Sequence, residues 1–327
     1  MAKIYYDSDI EIEPLTDMTV GIIGYGNQGR AHALNLRDSG LTVRVATRPR
    51  SETRDLAAAD GFDEEDAESI AANCDVLAIM LPDELIAKVY VDSIEPYLAS
   101  NKVFVFAHGF SVHHKTIRLP EMSDVLLAAP TGPGRKLRSL YEAGRGLPAL
   151  IAVEQDASGL AWQRCLAYAK GIGCARAGAI ETTFAEETVT DLYCEQAVLC
   201  GGIPELIKRS FSVLVEAGYQ PELAYISCLK EVKLIADLLF EIGVDGMRAA
   251  ISNTAKFGSA ITGPYLIDES TSNKLRHVLA QIENGNFGQQ LLADASAGSP
   301  VIGELLKQER HSHLAKTGRA LKDQIDF

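Results

Sequence analysis

Glu187, Asp191 and Glu195 recur every four residues in the stretch Thr183-Phe-Ala-Glu-Glu-Thr-Val-Thr-Asp-Leu-Tyr-Cys-Glu195. On a predicted helix that spacing stacks three carboxylates on one face, one turn apart. Like charges so placed repel. The row is either a solvated acidic face or the seat of a cation. Carboxylate oxygens suit Mg²⁺ or Mn²⁺ better than zinc. Leu192, Ala197, Val198, Leu199 and Cys200 leave little of the segment reading as free surface, which favours the cation. The six cysteines (74, 165, 174, 194, 200, 228) contain no CxxC pair and no regular spacing, so they are expected to be buried thiols in a reducing cytoplasm rather than zinc ligands or disulfides.

A second constellation lies near the start. The apolar run Thr19-Val-Gly-Ile-Ile-Gly24 enters Gly24-Tyr25-Gly26-Asn27-Gln28-Gly29, and Arg30–Gly40 reads as a helix closed by glycine. Between a strand and a helix, GxGxxG is the dinucleotide fingerprint. Gly24 permits the tight turn, Gly26 lets backbone approach a pyrophosphate, and Gly29 lets helix pack on strand. The helix start then offers unpaired N–H groups to the phosphates. After the next strand, Leu41–Thr47, the acidic residue expected for NAD is replaced by Thr47-Arg48-Pro-Arg50-Ser51-Glu52-Thr53-Arg54. Two or three guanidiniums with two hydroxyls fit a ribose 2′-phosphate, so NADPH is expected, with Glu52 the one residue opposing it.

The elements that must position these groups follow in alternation. Val76–Leu81, Val103–Ala107, Val125–Ala129, Leu150–Val153 and Ala175–Ile180 read as strands, with helices such as 84–98 and 159–170 between them. The pattern predicts an α/β fold with a parallel, doubly wound sheet. Ligands gather at the carboxyl ends of such strands, where Ala107-His108-Gly109-Phe110 and Ala129-Pro-Thr131-Gly-Pro-Gly134 fall. From about Thr183 the strand-like runs stop, and 3.6-residue periodicity predicts helices over 186–200, 204–217, 221–242, 272–284 and 300–327. The domains are therefore expected at 1–182 and 183–327. In the helix from Pro221, Ser227 and Glu231 stand one turn apart, with Lys230 near the same face.

The bulk numbers predict a soluble, globular protein. The chain has 327 residues, 47% of them apolar, and a formal net charge of −13, with no basic patch for nucleic acid. The first nine residues lack an apolar signal core, and no apolar run approaches the ~20 residues of a membrane span.

Together these segments resemble the ketol-acid reductoisomerase family nearly end to end. The resemblance is carried by Gly24–Gly29 with Ala31-His-Ala-Leu-Asn-Leu36, Leu81-Pro82-Asp83-Glu84, Ala107–Phe110, Gly132-Pro-Gly134, Glu181–Phe184, Glu186–Leu192, Glu195–Gly202 and Ile251-Ser252-Asn-Thr-Ala255. It implies a Rossmann-type domain and a knotted, all-helical second domain that completes each active site in a homodimer or higher homo-oligomer. It implies NADPH, two Mg²⁺ ions, and a two-step reaction of branched-chain amino acid biosynthesis. An acetohydroxy acid first undergoes a metal-assisted alkyl shift, and the 2-oxo acid formed is then reduced. By resemblance Pro82, Asp83, His108 and Gly134 join the cofactor site. Asp191 would bridge both metals, Glu195 complete the first, and Glu231 of a second subunit serve the other. His108 and Glu187 would form the polar shell, and Ser252 would touch the substrate carboxylate.

The chain departs from the family pattern at three positions. Thr131 stands for a lysine, Ser227 for a metal-binding glutamate, and Lys230 for a histidine. Losing a carboxylate and gaining an ammonium weakens the second metal site. The alkyl shift needs Lewis acids, whereas reduction leans on the cofactor. The expected activity is reduction of a small 2-oxo acid, a hydroxy-keto acid or an imine, with Lys230 at the altered site and isomerisation lost or weakened. The alternatives are an authentic ketol-acid reductoisomerase and a non-catalytic NADP-binding protein.

Overall fold

The computed structural model describes residues 2–99, 101–322 and 324. The polypeptide divides into two compact units, Met1–Thr190 and Asp191–Phe327, and the division falls inside one helix.

Unit 1 is built on an eight-stranded sheet: β1 (Ile4–Tyr5), β2 (Thr19–Ile23), β3 (Thr42–Ala46), β4 (Val76–Ile79), β5 (Val103–Phe106), β6 (Asp124–Pro130), β7 (Ala149–Gln155) and β8 (Ala179–Glu181). Their spatial order is β1-β8-β7-β6-β5-β4-β2-β3. From β3 to β6 all pairings are parallel. Every residue of β4 and β5 is buried, as expected where helices cover both faces. Those helices are α1 (Asn27–Asp38), α2 (Glu52–Ala59), α3 (Ala67–Asn73), α4 (Asp83–Val89), α5 (Phe110–His113), α6 (Gly134–Glu142) and α7 (Ala161–Gly171). One apolar layer gathers Val20, Ile22, Leu36, Val105 and Tyr168, and the other Ile23, Leu77, Phe104, Phe106 and Phe184.

The parallel-dominated sheet bears out the expected doubly wound fold, with two antiparallel pairings that the sequence pattern does not report. β7 runs antiparallel to β6, and β1, unseen in the sequence pattern, runs antiparallel to β8. A strand buried on both faces carries a continuous apolar run in either direction, so the run does not report orientation. The segment read as a strand over 175–180 begins as a 3₁₀ turn, Cys174–Arg176, and pairs only over Ala179–Glu181.

α8 (Phe184–Cys194) crosses the division. Unit 2 is entirely helical among the described residues: α9 (Gly202–Glu216), α10 (Pro221–Tyr225), α11 (Glu231–Ala250), α12 (Asn253–Leu266), α13 (Glu269–Glu283), α14 (Asn286–Ser296), α15 (Pro300–His311) and α16 (His313–Lys322). The helix expected to reach residue 327 thus breaks at Ser312, and 323 and 325–327 lie outside the described residues. Two wide π turns interrupt the α-helical spacing, Glu195–Leu199 and Ile226–Lys230. Packing within the unit centres on Phe211, Ala224, Ile282 and Leu321, with His313 edge-on to Phe211 at 5.5 Å. No helix among the described residues is long and apolar enough to cross a membrane.

All six cysteines are free. Burial pushes the thiols of Cys74 and Cys165 up to about 11 and about 12. Cys194 and Cys200, expected to be buried, are exposed in the single chain, as are Val198 and Leu199.

Candidate active site

The fingerprint sits where β2 lies between β3 and β4, the point at which the sheet order reverses. Gly24 has φ +100°, a region that penalises any side chain, and a Cβ there would stand 2.7 Å from the Met80 carbonyl. A Cβ on Gly29 would meet the Gly24 carbonyl at 1.9 Å, so only glycine lets α1 come this close. A Cβ on Gly26 would meet no atom within 4 Å. The backbone at Gly26 is therefore open to a ligand, beside the first N–H groups of α1. These features fit a dinucleotide pyrophosphate.

The start of α6 completes the cradle. A Cβ on Gly134 would collide with the Asn27 carbonyl at 1.9 Å, and Gln28 Nε2 donates to the Gly132 carbonyl at 2.9 Å. Beside this junction lies a cavity of about 220 Å³ lined by Gly26, Asn27, Arg30, Thr53, Gly134 and Arg135, among others. Arg30 is committed to Asp60, and Arg138 to Asp38 and Glu142. Arg135, exposed in the first turn of α6, adds a cation that the sequence pattern did not reveal. Its signal was its place directly after Gly134. Tyr25, expected at the cofactor, borders the same cavity, yet its hydroxyl donates to Asp60 at 2.8 Å. Burial pushes that phenol's pKa upward, ahead of the Asp60 contact.

Arg48, Pro49, Arg50, Ser51, Glu52 and Thr53 line a second cavity, of about 390 Å³, at the start of α2. Ser51 is the N-cap: its Oγ donates to the Arg48 carbonyl at 2.7 Å, accepts from the Arg54 N–H at 3.3 Å, and lies 3.0 Å from Thr53 Oγ1. The loop is thus held open around its hydroxyls. Arg54 does not join the set, because Glu64 takes its guanidinium at 2.9 Å. Two guanidiniums, those of Arg48 and Arg50, remain at this cavity.

The third group forms at the carboxyl end of β5. His108 follows that strand by two residues, and Asp83, the first residue of α4 after Pro82, places Oδ2 2.7 Å from His108 Nδ1. The Gly109 N–H donates to Glu187 Oε2 at 2.8 Å. Glu187 is only 2% exposed, so this carboxylate is no solvated decoration. Asp191 follows it by one turn on α8. One ligand atom each of His108, Glu187 and Asp191 lies within 4.8 Å of the others. Two carboxylates and an imidazole at this spacing fit a divalent cation, and hard Mg²⁺ would draw on the carboxylate oxygens first.

The remaining expected residues belong to unit 2. Glu195 is exposed and opens the first π turn. Ser227 and Lys230 lie within the second, and Glu231 begins α11. The simple α-helical face expected for Ser227 and Glu231 is therefore altered by the π geometry. Ser252 caps α12, its Oγ accepting from the Ala255 N–H at 3.2 Å. In unit 1, Thr131 is exposed and its Oγ1 donates to the Pro148 carbonyl at 3.0 Å.

A Rossmann-type sheet carrying a pyrophosphate cradle beside a histidine and paired carboxylates defines a nicotinamide-dependent oxidoreductase. Residues 14–178 match the acetohydroxy acid isomeroreductase, NADPH-binding domain family, and residues 184–327 match the ketol-acid reductoisomerase, C-terminal domain family. A solved NADH-preferring ketol-acid reductoisomerase from an uncultured archaeon is 36% identical, with 99% of this chain and 100% of that one covered, at a TM-score of 0.96. A semialdehyde dehydrogenase NAD-binding protein from Cupriavidus necator shares the fold at 17% identity and a TM-score of 0.64, over 82% of this chain and 99% of that one. The chain belongs to the ketol-acid reductoisomerase family and is an NAD(P)-dependent oxidoreductase.

Proposed function

We propose that the protein is an NADPH-dependent reductase of a small 2-oxo acid, a related hydroxy-keto acid or an imine, in which the alkyl shift is lost or weakened. The observation that carries this reading is the set of departures at Thr131, Ser227 and Lys230. Thr131 is neutral and bound to the backbone of Pro148, so it supplies no ammonium. Ser227 removes a carboxylate four residues before Glu231, and Lys230 brings a cation beside it. One Mg²⁺ at Asp191 and Glu195 is retained in this reading, and the second, at Glu231, is weak or absent.

Bound NADPH would supply the hydride, and Mg²⁺ would polarise the substrate oxygens. The chain's own residues do the rest. Gly24–Gly29 and Gly134 seat the pyrophosphate, while Arg48, Arg50, Ser51 and Thr53 hold a 2′-phosphate. Glu187, pinned by the Gly109 N–H, keeps its carboxyl group beside His108. His108, after taking up a solvent proton at Nε2, can hand that proton to the nascent alkoxide, and Ser252 would bind the substrate carboxylate. Unit 2 exposes long apolar faces, among them Phe240 at 91%, which supports assembly as a homodimer or larger.

The test is NADPH oxidation over a panel containing 2-acetolactate, 3-hydroxy-3-methyl-2-oxobutyrate and simple 2-oxo acids, with and without Mg²⁺. Reduction of a 2-oxo acid without turnover of 2-acetolactate is expected, and the combined change Thr131→Lys, Ser227→Glu, Lys230→His should recover some isomerisation. Brisk turnover of 2-acetolactate by the unmodified chain would instead establish an authentic ketol-acid reductoisomerase, the reading favoured by 36% identity across nearly the whole chain. For the cofactor, NADPH should bind at least tenfold more tightly than NADH, about 1.4 kcal/mol. Arg48→Ala with Arg50→Ala should erase most of that gap. Equal affinities in the unmodified protein would defeat the NADPH reading and match the preference of the archaeal relative.

A further inference from the structure

We propose that Asp83 is a positioning residue that acts through His108, fixing which ring nitrogen is left for chemistry. The proposal rests on the reading of His108 as an active-site group. Asp83 Oδ2 lies 2.7 Å from His108 Nδ1, and each side chain is 21% exposed, so solvent competes little for the contact.

An ionised carboxylate can only accept, so the proton in this contact belongs to Nδ1. Pro82 fixes the approach, with φ −55° and ψ 139°, so the carboxylate enters α4 from a constrained backbone. With Nδ1 engaged by Asp83, every contact of the ring with substrate, cation or carboxylate falls to Nε2.

The ring plane is also set. Phe110 is fully buried, and its ring lies 6.2 Å from that of His108 at a 32° tilt. His108 is therefore held at one edge by Asp83 and along one face by Phe110. Glu187, its neighbour in the cluster, is held by the Gly109 N–H. Both side chains have supports that are themselves fixed by secondary structure. Such outer partners select the tautomer and orientation of a working imidazole. Asp83 and His108 are 25 residues apart and follow adjacent parallel strands, β4 and β5, so the sheet itself brings them together.

Asp83 is also an expected cofactor residue, and the two roles separate in experiment. The full-length protein and its Asp83→Ala, Asp83→Asn and Asp83→Glu variants are compared for NADPH affinity by calorimetry. Turnover at saturating NADPH and the ¹⁵N signals of the His108 ring are measured on the same samples, with His108→Gln assigning the signals. The expected result is a 10- to 100-fold fall in kcat for Asp83→Ala at saturating cofactor. Substrate KM and NADPH affinity should stay within about threefold, as an outer-partner role requires. Nδ1 should carry the proton in the unmodified protein, and the proton should shift toward Nε2 in Asp83→Ala. Asp83→Glu should restore part of both readouts, and Asp83→Asn covers the case in which Asp83→Ala does not fold.

An unprotonated Nδ1 in the unmodified protein would overturn the proposal, as would undiminished kcat in the variants. A loss of activity that vanishes when cofactor is raised would place Asp83 at the cofactor alone, and would also overturn it. If the unmodified protein reduces no 2-oxo acid, hydroxy-keto acid or imine, the functional reading fails, while the ring signals still decide whether Asp83 sets the tautomer.

Discussion

The two units place their apolar side chains differently. In unit 1, β4, β5 and β6 are buried almost throughout, and the helices close over both faces of the sheet. Unit 2 holds Phe211, Ile282 and Leu321 inside but leaves Phe240, Tyr265 and Phe257 at 91%, 81% and 71% exposure. A monomeric surface rarely exposes a contiguous apolar patch of great size. Burying one large apolar side chain contributes about 1.5–3 kcal/mol, so unit 2 forgoes much stabilisation as an isolated chain. The sheet unit carries its own core, while the helical unit leaves large apolar side chains uncovered by its own chain.

The largest expected effect tests that contrast directly. Phe240→Asp with Phe257→Asp should abolish assembly and activity together, read by light scattering and turnover, because two charges cannot be buried unpaired. The cofactor affinity of unit 1 should survive. An active, assembled double variant would break the comparison.

Inside unit 1 the expected sensitivity is local. A Cβ on Gly109 would fall 2.4 Å from Thr188 Oγ1 and 2.8 Å from Glu187 Oε2. Gly109→Ala should displace the Glu187 carboxylate and cost about 1–3 kcal/mol of packing. Mg²⁺ affinity by calorimetry should fall about tenfold or more, the equivalent of some 1.4 kcal/mol. Assembly should be untouched, and unaltered Mg²⁺ binding would show that Glu187 does not shape the site.

The smallest effect is a pH dependence confined to unit 1. His32 is fully buried, and burial lowers its pKa to about 3 from 6.5, while Nδ1 lies 3.0 Å from the Tyr168 hydroxyl. The unfolded chain binds a proton below pH 6.5 that the folded chain refuses. Stability is therefore complete above 6.5 and declines as pH falls toward 3. Between pH 6.5 and 5 the loss should be about 2 kcal/mol, at about 1.4 kcal/mol per pH unit. The single tryptophan, Trp162 on α7, lets urea unfolding of unit 1 be followed alone. His32→Gln should flatten the slope, and an identical slope in both proteins would acquit His32.

What was legible in the sequence follows from the range of the interaction. The β2 turn and α1 were readable because Gly24, at positive φ, and Gly29, pressed against the Gly24 carbonyl, answer to local backbone demands within six residues. The antiparallel run of β7 was not, since Leu150–Val153 looks the same in either direction. Whether Arg54 adds a third guanidinium was open in the sequence, and Glu64, ten residues on, claims it. The pairing of Asp83 with His108 depends on the neighbouring of two strands, which no local pattern encodes. Val198 and Leu199 are exposed because the chain's own fold does not cover them, and an apolar run alone does not report which surface covers it. The departures at Thr131, Ser227 and Lys230 were visible only against a family pattern.

The two π turns have a consequence for insertions and deletions. Cys200 N–H reaches the Glu195 carbonyl at 2.8 Å, five residues back, and Glu231 N–H likewise bonds the Ile226 carbonyl. Each wide turn behaves as a helix with one residue too many, folded into a blister. Deleting Ala197 or Cys228 would let the ladder close as ordinary α-helix while the helices on either side kept nearly their bearings, because a wide turn of five residues and an α turn of four sweep about the same angle. The chain would lose no backbone bond, and the loss would fall on the side chains seated in the blister, Glu195 at the head of the first and Ser227 and Lys230 inside the second.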